Sequence, residues 1–221
     1  MKSQPEALKV ISLLKQRYGR SFHTNEDPFF VLIFTVLSAR NRDSQTYKAA
    51  ASLFKRFPTM NSLAAAKIAQ IEKTIGFIGL FRQKARRIKA ISQILLQKYG
   101  GKVPDSMDEL LQLPGVGRKT ANCVLIYAYN IPAIAVDTHV HRISNRIGLV
   151  KTKNPEQTEM ALMRLLPQKN WLGINELFVK HGQQVCLPRN PRCSVCPVKR
   201  FCDYYATSKP EVLRFSSVST H

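Results

Sequence analysis

Apolar side chains recur every three or four residues along most of the chain, which is the period of an amphipathic α-helix. Residues 4–18 show this pattern clearly, and Gly19 ends it. Residues 29–37 are apolar on nearly every side, and the preceding Asp27-Pro28 pair is typical of a helix start. A buried central helix is therefore predicted there. No run of four or more residues alternates convincingly like a strand, so the predicted fold class is all-α.

The same period predicts further helices, separated by glycines, prolines and capping residues. Their expected positions are a helix capped by Asp43 with an end near Phe57, residues 61–75, residues 81–98, a start at Asp105 or Ser106 with an end at Leu113, residues 118–129, a helix capped by Asp137, a start at Asn154-Pro155, and residues 171–185. The outer face of the helix over 81–98 is basic. Its cations are Arg82, Lys84, Arg86, Arg87 and Lys89. Such a face is typical of solvated surface, and phosphate contact is the alternative.

A glycine-rich turn separates two of these helices. Two glycines one residue apart allow positive φ angles and a close approach of the backbone to a partner. Amides at the start of the following helix form a site for an anion such as phosphate. By itself the turn is equally typical of an ordinary helix–turn–helix corner with a solvated lysine. The candidate residues are Gly115, Val116, Gly117, Arg118 and Lys119.

The charge of the chain narrows the class of partner. It has 221 residues, of which 44% are hydrophobic, and 34 Lys and Arg against 14 Asp and Glu give a net charge of +20. This excess indicates a polyanionic partner, either nucleic acid or an anionic membrane surface. The longest apolar run, Phe29 to Leu37, is about half of the roughly 20 residues needed to span a bilayer. The N-terminus opens on a charged helix, so we expect a soluble intracellular protein with no membrane contact.

Four cysteines lie close together near the C-terminus, with the spacing C-x6-C-x2-C-x5-C. They are Cys186, Cys193, Cys196 and Cys202. In a reducing compartment this spacing indicates a metal centre, either zinc or an iron–sulfur cluster. Zinc ribbons usually use two C-x2-C pairs and this pattern has one, which favours iron–sulfur; disulfides remain a further alternative. Cys123 stands apart and is expected in the core.

The loop between the first two cysteines is basic and stiffened by prolines. Its arginines, Arg189 and Arg192, are candidates for contact with phosphate. The metal centre lies far along the chain from Lys119, and no residues near it suggest a substrate pocket. A structural role for the metal is therefore predicted, in which metal binding contributes directly to folding.

Three blocks of sequence together resemble the endonuclease III family, the helix–hairpin–helix DNA glycosylases. They are residues 113–122, residues 135–139 (Ala-Val-Asp-Thr-His) and the cysteine spacing of 186–202. The blocks follow the order and spacing of the family, and the helical pattern agrees with it from about residue 5 to residue 205. The resemblance implies a helix–hairpin–helix DNA glycosylase fold with two helical domains and a DNA cleft between them.

In that fold, residues 20–131 are expected to form a six-helix barrel that carries the hairpin. Residues 1–19 and 132–205 are expected to form a domain that holds a [4Fe–4S] cluster on the four cysteines, and residues 206–221 a polar tail. The implied partner is double-stranded DNA that contains damaged bases or abasic sites. A monomer is expected, located in the cytoplasm with the nucleoid if the source is prokaryotic.

The resemblance assigns the chemistry to Lys119 and Asp137. In the family a damaged pyrimidine is flipped out of the duplex, because C1′ is inaccessible inside the stack. A neutral amine then attacks C1′, expels the base and forms a Schiff base, and β-elimination cleaves the strand 3′ to the abasic site. Arg118 and the positive helix end favour the neutral form of an amine. Asp137 matches the catalytic carboxylate, and it could equally be a helix N-cap.

Other positions match the family less closely. Leu80 matches the wedge that enters the base stack near the flipped nucleotide. Arg40 stands where the bacterial pattern has a glutamine that fills the vacated space; arginine can still stack and donate to the orphaned base, but the opposite-base preference is left open. His139 is expected either to line the pocket or to be buried as a structural residue.

Two other functions are compatible with parts of the pattern. The first is a monofunctional mismatch glycosylase; such relatives lack a lysine at position 119, and the adenine-specific branch usually adds a C-terminal domain. The second is a non-enzymatic DNA-binding module built on the hairpin and the metal centre, in which Lys119 and Asp137 would be hairpin and cap residues only. The lysine favours the bifunctional glycosylase and lyase.

Overall fold

A computed structural model describes residues 1–19 and 25–208 of the chain. In these ranges all regular structure is helical, which confirms the predicted all-α class. The α-helices are α1 Gln4–Tyr18, α2 Pro28–Ser38, α3 Asp43–Arg56, α4 Met60–Ala65, α5 Ile68–Ile75, α6 Phe81–Lys98, α7 Met107–Leu111, α8 Arg118–Tyr127, α9 Thr138–Ile147, α10 Pro155–Leu165, α11 Ile174–Gln184 and α12 Asp203–Ser208. Short 3₁₀ helices cover Gln168–Asn170, Cys193–Val195 and Lys199–Phe201.

The chain divides into two compact units. One contains residues 1–19 and 136–208 of the described chain, and the other contains residues 25–135. The domain roles expected from the sequence stay predictions. Of the expected polar tail, residues 206–208 belong to α12 and residues 209–221 lie outside the described part. None of the described helices is long and apolar enough to cross a membrane.

In the unit of residues 25–135, α2 is the central helix that its apolar sequence predicts. Seven of its eleven residues are buried, and it packs against α3, α6 and α8. Asp27 caps α2, because its carboxylate accepts a hydrogen bond of 2.6 Å from the amide of Phe30. Pro28 at the first helical position needs no hydrogen-bond partner for its nitrogen. Helix α8 contributes an uninterrupted buried run, residues 121–126, to the same core.

The prediction of a single helix over 61–75 is wrong, because the chain forms two helices there, α4 and α5. Ala66 and Lys67 between them are extended, with ψ angles of 143° and 136°. The Lys89 ammonium on α6 donates a 2.5 Å hydrogen bond to the carbonyl oxygen of Ala66. That carbonyl lies at the end of α4, so a side chain distant in sequence satisfies the group that a continuous helix would have bonded internally.

Other helix ends differ from their predictions by a few residues. Asp43 is the first residue of α3 and not its cap, which is Arg42. Ser106 is the cap of α7, with its hydroxyl oxygen accepting from the Glu109 amide. Three predicted helices are shorter than expected: α7 ends at Leu111, α8 ends at Tyr127, and α11 runs from Ile174 to Gln184.

Lys84 does not lie on an outer face of α6, as its place in the basic pattern suggested. Its side chain is buried, with 2% of the residue exposed. The ammonium donates a 2.7 Å hydrogen bond to the carbonyl oxygen of Leu37 on α2. This partner explains how a lysine is accommodated in the interior, since a buried charged group needs a hydrogen bond to offset its lost hydration.

In the unit that contains both described ends, α9 packs against α11 across a glycine. A Cβ added at Gly182 on α11 would lie 2.2 Å from Nδ1 of His139 and 2.9 Å from Nη2 of Arg142. Such distances are far below van der Waals contact. The absence of a side chain at Gly182 therefore sets how closely α9 approaches α11 and where His139 and Arg142 lie.

Gly182→Ala should destabilise this unit, although alanine is the better helix former by about 1 kcal/mol. The new methyl group must displace His139 and Arg142, and overpacking of this kind typically costs about 1–3 kcal/mol. Chemical denaturation followed by circular dichroism measures the change in the free energy of unfolding. Gln184→Ala, at an exposed position of the same helix, is the control and should change it little. A stabilised Gly182→Ala protein would contradict the close packing.

Candidate nucleic-acid interface and metal centre

The glycine-rich turn forms the hairpin that the sequence predicted. Gly115 has a φ of +78°, in the left-handed region that favours glycine. The Val116 amide donates to the carbonyl oxygen of Leu113 at 3.1 Å and closes the turn. Gly117 is the N-cap of α8 and has no side chain with which to cap it. Because the first amides of a helix have no intrahelical acceptor, this arrangement suits an anion at the helix start.

Within the hairpin, the two glycines and the valine have different environments. Gly115 and Gly117 are exposed, whereas the side chain of Val116 is buried, with 6% exposure. The Val116 amide is also engaged in the turn. Val116 therefore holds the hairpin against the core, and the surface that the hairpin presents comes from the glycines. The predicted contact between Val116 and DNA stays a prediction.

Lys119 lies in the first turn of α8, as predicted, and its side chain is half-buried. The helix behind it is fixed by its buried run and by a buried side-chain hydrogen bond. In that bond, Nδ2 of Asn122 donates to the carbonyl oxygen of Ile134 at 3.1 Å. Lys119 is thus a flexible side chain on a rigid helix end.

Arg87 on α6 lies directly against the hairpin. A Cβ added at Gly115 would lie 2.4 Å from Cδ and 2.9 Å from Cζ of Arg87. The sequence predicted that Arg87 lies on a basic helix face, and this face could be either solvated surface or a phosphate contact. Its position beside Gly115 favours the second interpretation, because a cation next to the hairpin strengthens the attraction for phosphate.

Arg40 and Leu80 both adopt backbone conformations that are unusual for their residue types. Their φ angles are +53° and +58°, although neither is a glycine. A Cβ added at Gly79 would lie 3.6 Å from the carbonyl oxygen of Arg40, so their two loops are neighbours. Leu80 is also 50% exposed, so its side chain is accessible to a partner. Strained residues of this kind cluster at functional sites, so both are strengthened as candidates.

Asp137 is the N-cap of α9. Its Oδ1 accepts a 2.8 Å hydrogen bond from the Val140 amide. The capping role considered from the sequence is confirmed, and a catalytic role is compatible with it because the carboxylate is only half-buried.

His139 contacts a residue that the sequence did not single out for function. Nη2 of Arg142 lies 3.1 Å from Nδ1 of His139 and donates a 2.9 Å hydrogen bond to the carbonyl oxygen of Cys186. Arg142 therefore joins the start of α9 to the first cysteine. The half-buried His139 is held in this network, and its two expected roles, structural and pocket-lining, both stay predictions.

The four cysteines line one small cavity. Its other walls are largely apolar or aromatic and include Ile147, Val198 and Tyr205. Burial raises the pKa of the Cys196 thiol to about 11, and it also raises the pKa values of Cys193 and Cys202. Thiolates in such surroundings need the positive charge of a metal, since metal binding is what drives release of their protons. The donors thus fit a thiolate-bound metal group.

Arg146, also missed as a functional residue, holds the cysteine loop. Its guanidinium donates 2.7 Å hydrogen bonds to the carbonyl oxygens of Leu187 and Pro188 and lies 3.6 Å from the Cys186 sulfur. Arg142 and Arg146 are four residues apart on α9 and so share a face. The sequence shows this spacing of the two arginines, but it does not show that their shared face lies against the cysteine loop.

Arg189 and Arg192 are both exposed in the loop between the first two cysteines. The Arg192 amide donates to the carbonyl oxygen of Val185 at 2.9 Å, which fixes the loop at that point. Their guanidinium groups face solvent and are accessible to a polyanion. Their contact with DNA stays a prediction.

Two family models match the chain. The HhH-GPD superfamily of base excision DNA repair proteins matches residues 33–168, and the iron–sulfur binding domain of endonuclease III matches residues 186–202. Endonuclease III of Thermotoga maritima is 54% identical over 190 residues, which cover 86% of this chain and 89% of that protein. Endonuclease III of Bacillus subtilis is 38% identical over 204 residues, covering 88% and 92%.

Solved structures agree with the sequence relatives. A trapped covalent intermediate of an endonuclease III with DNA superposes with a TM-score of 0.88 at 34% identity, covering 94% of this chain and 99% of the other. A thermostable thymine-DNA glycosylase gives a TM-score of 0.79 at 26% identity, covering 91% and 97%.

Arg146→Lys should loosen the cysteine loop and make the metal group easier to lose. Lysine keeps the charge but cannot donate to both loop carbonyls from a planar fork. Loss of the visible absorbance of an iron–sulfur cluster, followed during incubation with a chelator, should be about tenfold faster than in the wild type. Arg164→Lys, at an exposed position on α10, is the control. Equal rates for the two variants would show that Arg146 does not hold the loop.

Proposed function

The chain belongs to the endonuclease III family, the DNA glycosylases and abasic-site lyases of base excision repair, and we propose that Lys119 and Asp137 carry its chemistry. The observation that supports this most directly is local. Lys119 projects from the first turn of a helix that opens on a glycine hairpin, and α8 is anchored in the core immediately behind it. The hairpin can hold the backbone while the lysine reaches a sugar.

The protein carries a [4Fe–4S] cluster. We propose that Cys186, Cys193, Cys196 and Cys202 are its ligands, which is supported by the cavity they share. When bound, the cluster supplies iron–thiolate bonds that tie the segment 186–202 together. The role of the cluster is structural, since the reaction needs no electron transfer.

The proposed reaction begins when the damaged nucleotide leaves the base stack. The neutral amine of Lys119 attacks C1′ and forms a C–N bond, while the bond from C1′ to the base breaks and the base leaves with its electron pair and a proton. The sugar ring opens to give a protonated Schiff base. Loss of a C2′ proton then expels the 3′ phosphate by β-elimination, and water finally releases Lys119.

Asp137 has two compatible tasks in this proposal. Its carboxylate stabilises positive charge that develops on the sugar as the base departs, and it accepts a proton during the attack by the amine. The hydrogen bond to the Val140 amide fixes the orientation of the carboxylate. Preorganised charge of this kind contributes more than a mobile side chain, because it needs no reorientation in the transition state.

DNA binding is proposed to combine the hairpin with nearby cations. Gly115, Gly117 and the first turn of α8 hold a phosphate, and Arg118 and Arg87 add positive charge beside it. Arg189 and Arg192, exposed in the loop between the first two cysteines, are proposed to contact DNA phosphates as well. These contacts go to the backbone and not to the bases, so they position the protein without selecting sequence. That suits a protein that must search for damage in any sequence.

Leu80 and Arg40 are proposed to act on the duplex itself. The exposed Leu80 enters the stack, and Arg40 occupies the space left by the flipped nucleotide and donates to the orphaned base. His139 contributes to the wall of the pocket. We further propose oxidised pyrimidines as the substrate class, action as a monomer, and a location with the chromosomal DNA in the cytoplasm.

Replacing Lys119 tests the nucleophile. Lys119→Ala should abolish trapping of the protein on abasic DNA by borohydride and reduce strand cleavage by at least about 10³-fold, because the Schiff base cannot form. Lys102→Ala, which removes an exposed lysine from the same unit, should trap and cleave like the wild type. Normal trapping by Lys119→Ala would show that another amine is the nucleophile.

Replacing Asp137 separates its cap from its catalytic role. Asparagine caps helices about as well as aspartate, so Asp137→Asn should change the free energy of unfolding by less than about 0.5 kcal/mol. Base excision should nevertheless slow by about 10²-fold or more, because the negative charge is lost. Asp137→Ala should lose both functions. If Asp137→Asn excised bases at the wild-type rate, Asp137 would be a cap alone.

A further inference from the structure

Lys84 is a buried cation that the proposed chemistry does not use. It is 2% exposed, and burial lowers the pKa of its ammonium. A methionine of similar length would fill the same space without the cost of removing a charge from water. The hydrogen bond that Lys84 makes must therefore be considered as the reason for a lysine at this position.

The acceptor of that hydrogen bond lies just before the loop that carries Arg40, a candidate for probing the DNA. Nζ of Lys84 donates to the carbonyl oxygen of Leu37 at 2.7 Å, in the last turn of α2. Helix α2 has no basic residue of its own in that turn. The carbonyls at a helix C-terminus carry partial negative charge, so the ammonium caps the end of α2. Arg40 follows only three residues later, at a φ of +53°.

The backbone of Lys84 contacts the loop that carries Leu80. Its amide donates to the carbonyl oxygen of Leu80 at 3.0 Å, which closes the first turn of α6 directly after the left-handed Leu80. Gly79 packs beside the carbonyl oxygen of Arg40. Lys84 thus contacts the helix end that precedes Arg40 through its side chain, and Leu80 through its amide.

A second lysine on α6 provides a comparison. Nζ of Lys89 donates to the carbonyl oxygen of Ala66 at the end of α4, in the same way that Lys84 meets α2. Helix α6 therefore uses two lysines to cap two other helices. Of these two lysines, only Lys84 binds a helix end that is followed by a loop with a proposed DNA contact, the loop of Arg40. Lys84 can therefore affect DNA recognition as well as stability, whereas Lys89 affects stability alone.

We propose that Lys84 is a positioning residue that fixes the Arg40 loop relative to Leu80, so that the two side chains engage the duplex as one unit. This inference rests on the proposed roles of Arg40 and Leu80 in DNA. Without the ammonium, the carbonyl oxygen of Leu37 loses its hydrogen bond, and the Arg40 loop can move away from the geometry that fills the vacated base position. Loss of that geometry lowers the ratio of kcat/KM between opposite bases. The accompanying loss of folding stability should be no larger than that caused by removing the comparable lysine, Lys89.

The test compares Lys84→Met with Lys89→Met, alone and combined with Arg40→Ala. The full-length protein with its cluster is assayed for kcat/KM on duplexes that carry thymine glycol opposite each of the four bases. Lys84→Met should reduce kcat/KM by about tenfold, since small misplacements of positioning groups have effects of this size. It should also bring the ratio of kcat/KM values between opposite bases closer to the ratio of Arg40→Ala. The double variant should then have the same kcat/KM values as Arg40→Ala alone.

Lys89→Met should keep the wild-type ratio and combine additively with Arg40→Ala. Thermal denaturation of all variants shows whether the two methionine substitutions cost similar stability. Additive effects of Lys84→Met and Arg40→Ala, or an unchanged opposite-base ratio in Lys84→Met, would overturn the inference, as would an Arg40→Ala variant that behaves like the wild type. Failure of the wild type to trap on abasic DNA would instead refute the proposed function, so the two failures are distinguishable.

Discussion

The buried hydrogen bond from Asn122 to the carbonyl oxygen of Ile134 is the constraint that fixes the helix carrying Lys119 against the segment that leads towards Asp137. Asn122 is three residues after Lys119 on α8, and Ile134 is three residues before Asp137. Leaving either buried group unpaired would cost about 1–3 kcal/mol, so the chain is held firmly where it leaves the hairpin unit. Both proposed catalytic residues thus belong to segments fixed by buried structure, which is what a reaction at one carbon atom requires.

Helix α9 extends this constraint to the cysteines. Asp137 caps its first turn, and Arg142 and Arg146 on its following turns bond to the carbonyls of the cysteine loop. A helix of this length is about 15 Å long and is rigid over that distance. The proposed cluster would order the cysteine loop, and the two arginines connect that loop to the helix that begins after Asp137. Gly182 completes the arrangement by allowing α11 to approach.

The features predicted correctly from the sequence were local ones. The helical period, the Asp27 cap, the hairpin before Lys119 and the cysteine spacing each lie within a short stretch, where neighbouring residues determine the outcome. The prediction failed where distant residues decide. The helix predicted over 61–75 is divided at Ala66, whose carbonyl oxygen accepts from the distant Lys89, and Lys84 is buried where it donates to α2. Arg87 beside Gly115 was equally invisible, since no local pattern shows which face of α6 meets the hairpin.

The net charge of +20 therefore has two components with different physical consequences. Lys84, Lys89 and the two arginines of α9 have carbonyl partners within the protein, and this pairing limits their use as phosphate contacts. Cations at the hairpin and in the cysteine loop remain accessible. Only cations that neutralise phosphates release counterions, so only they contribute to the salt dependence of DNA binding. Composition alone indicates a polyanionic partner, but the number of phosphates contacted must be smaller than the excess charge suggests.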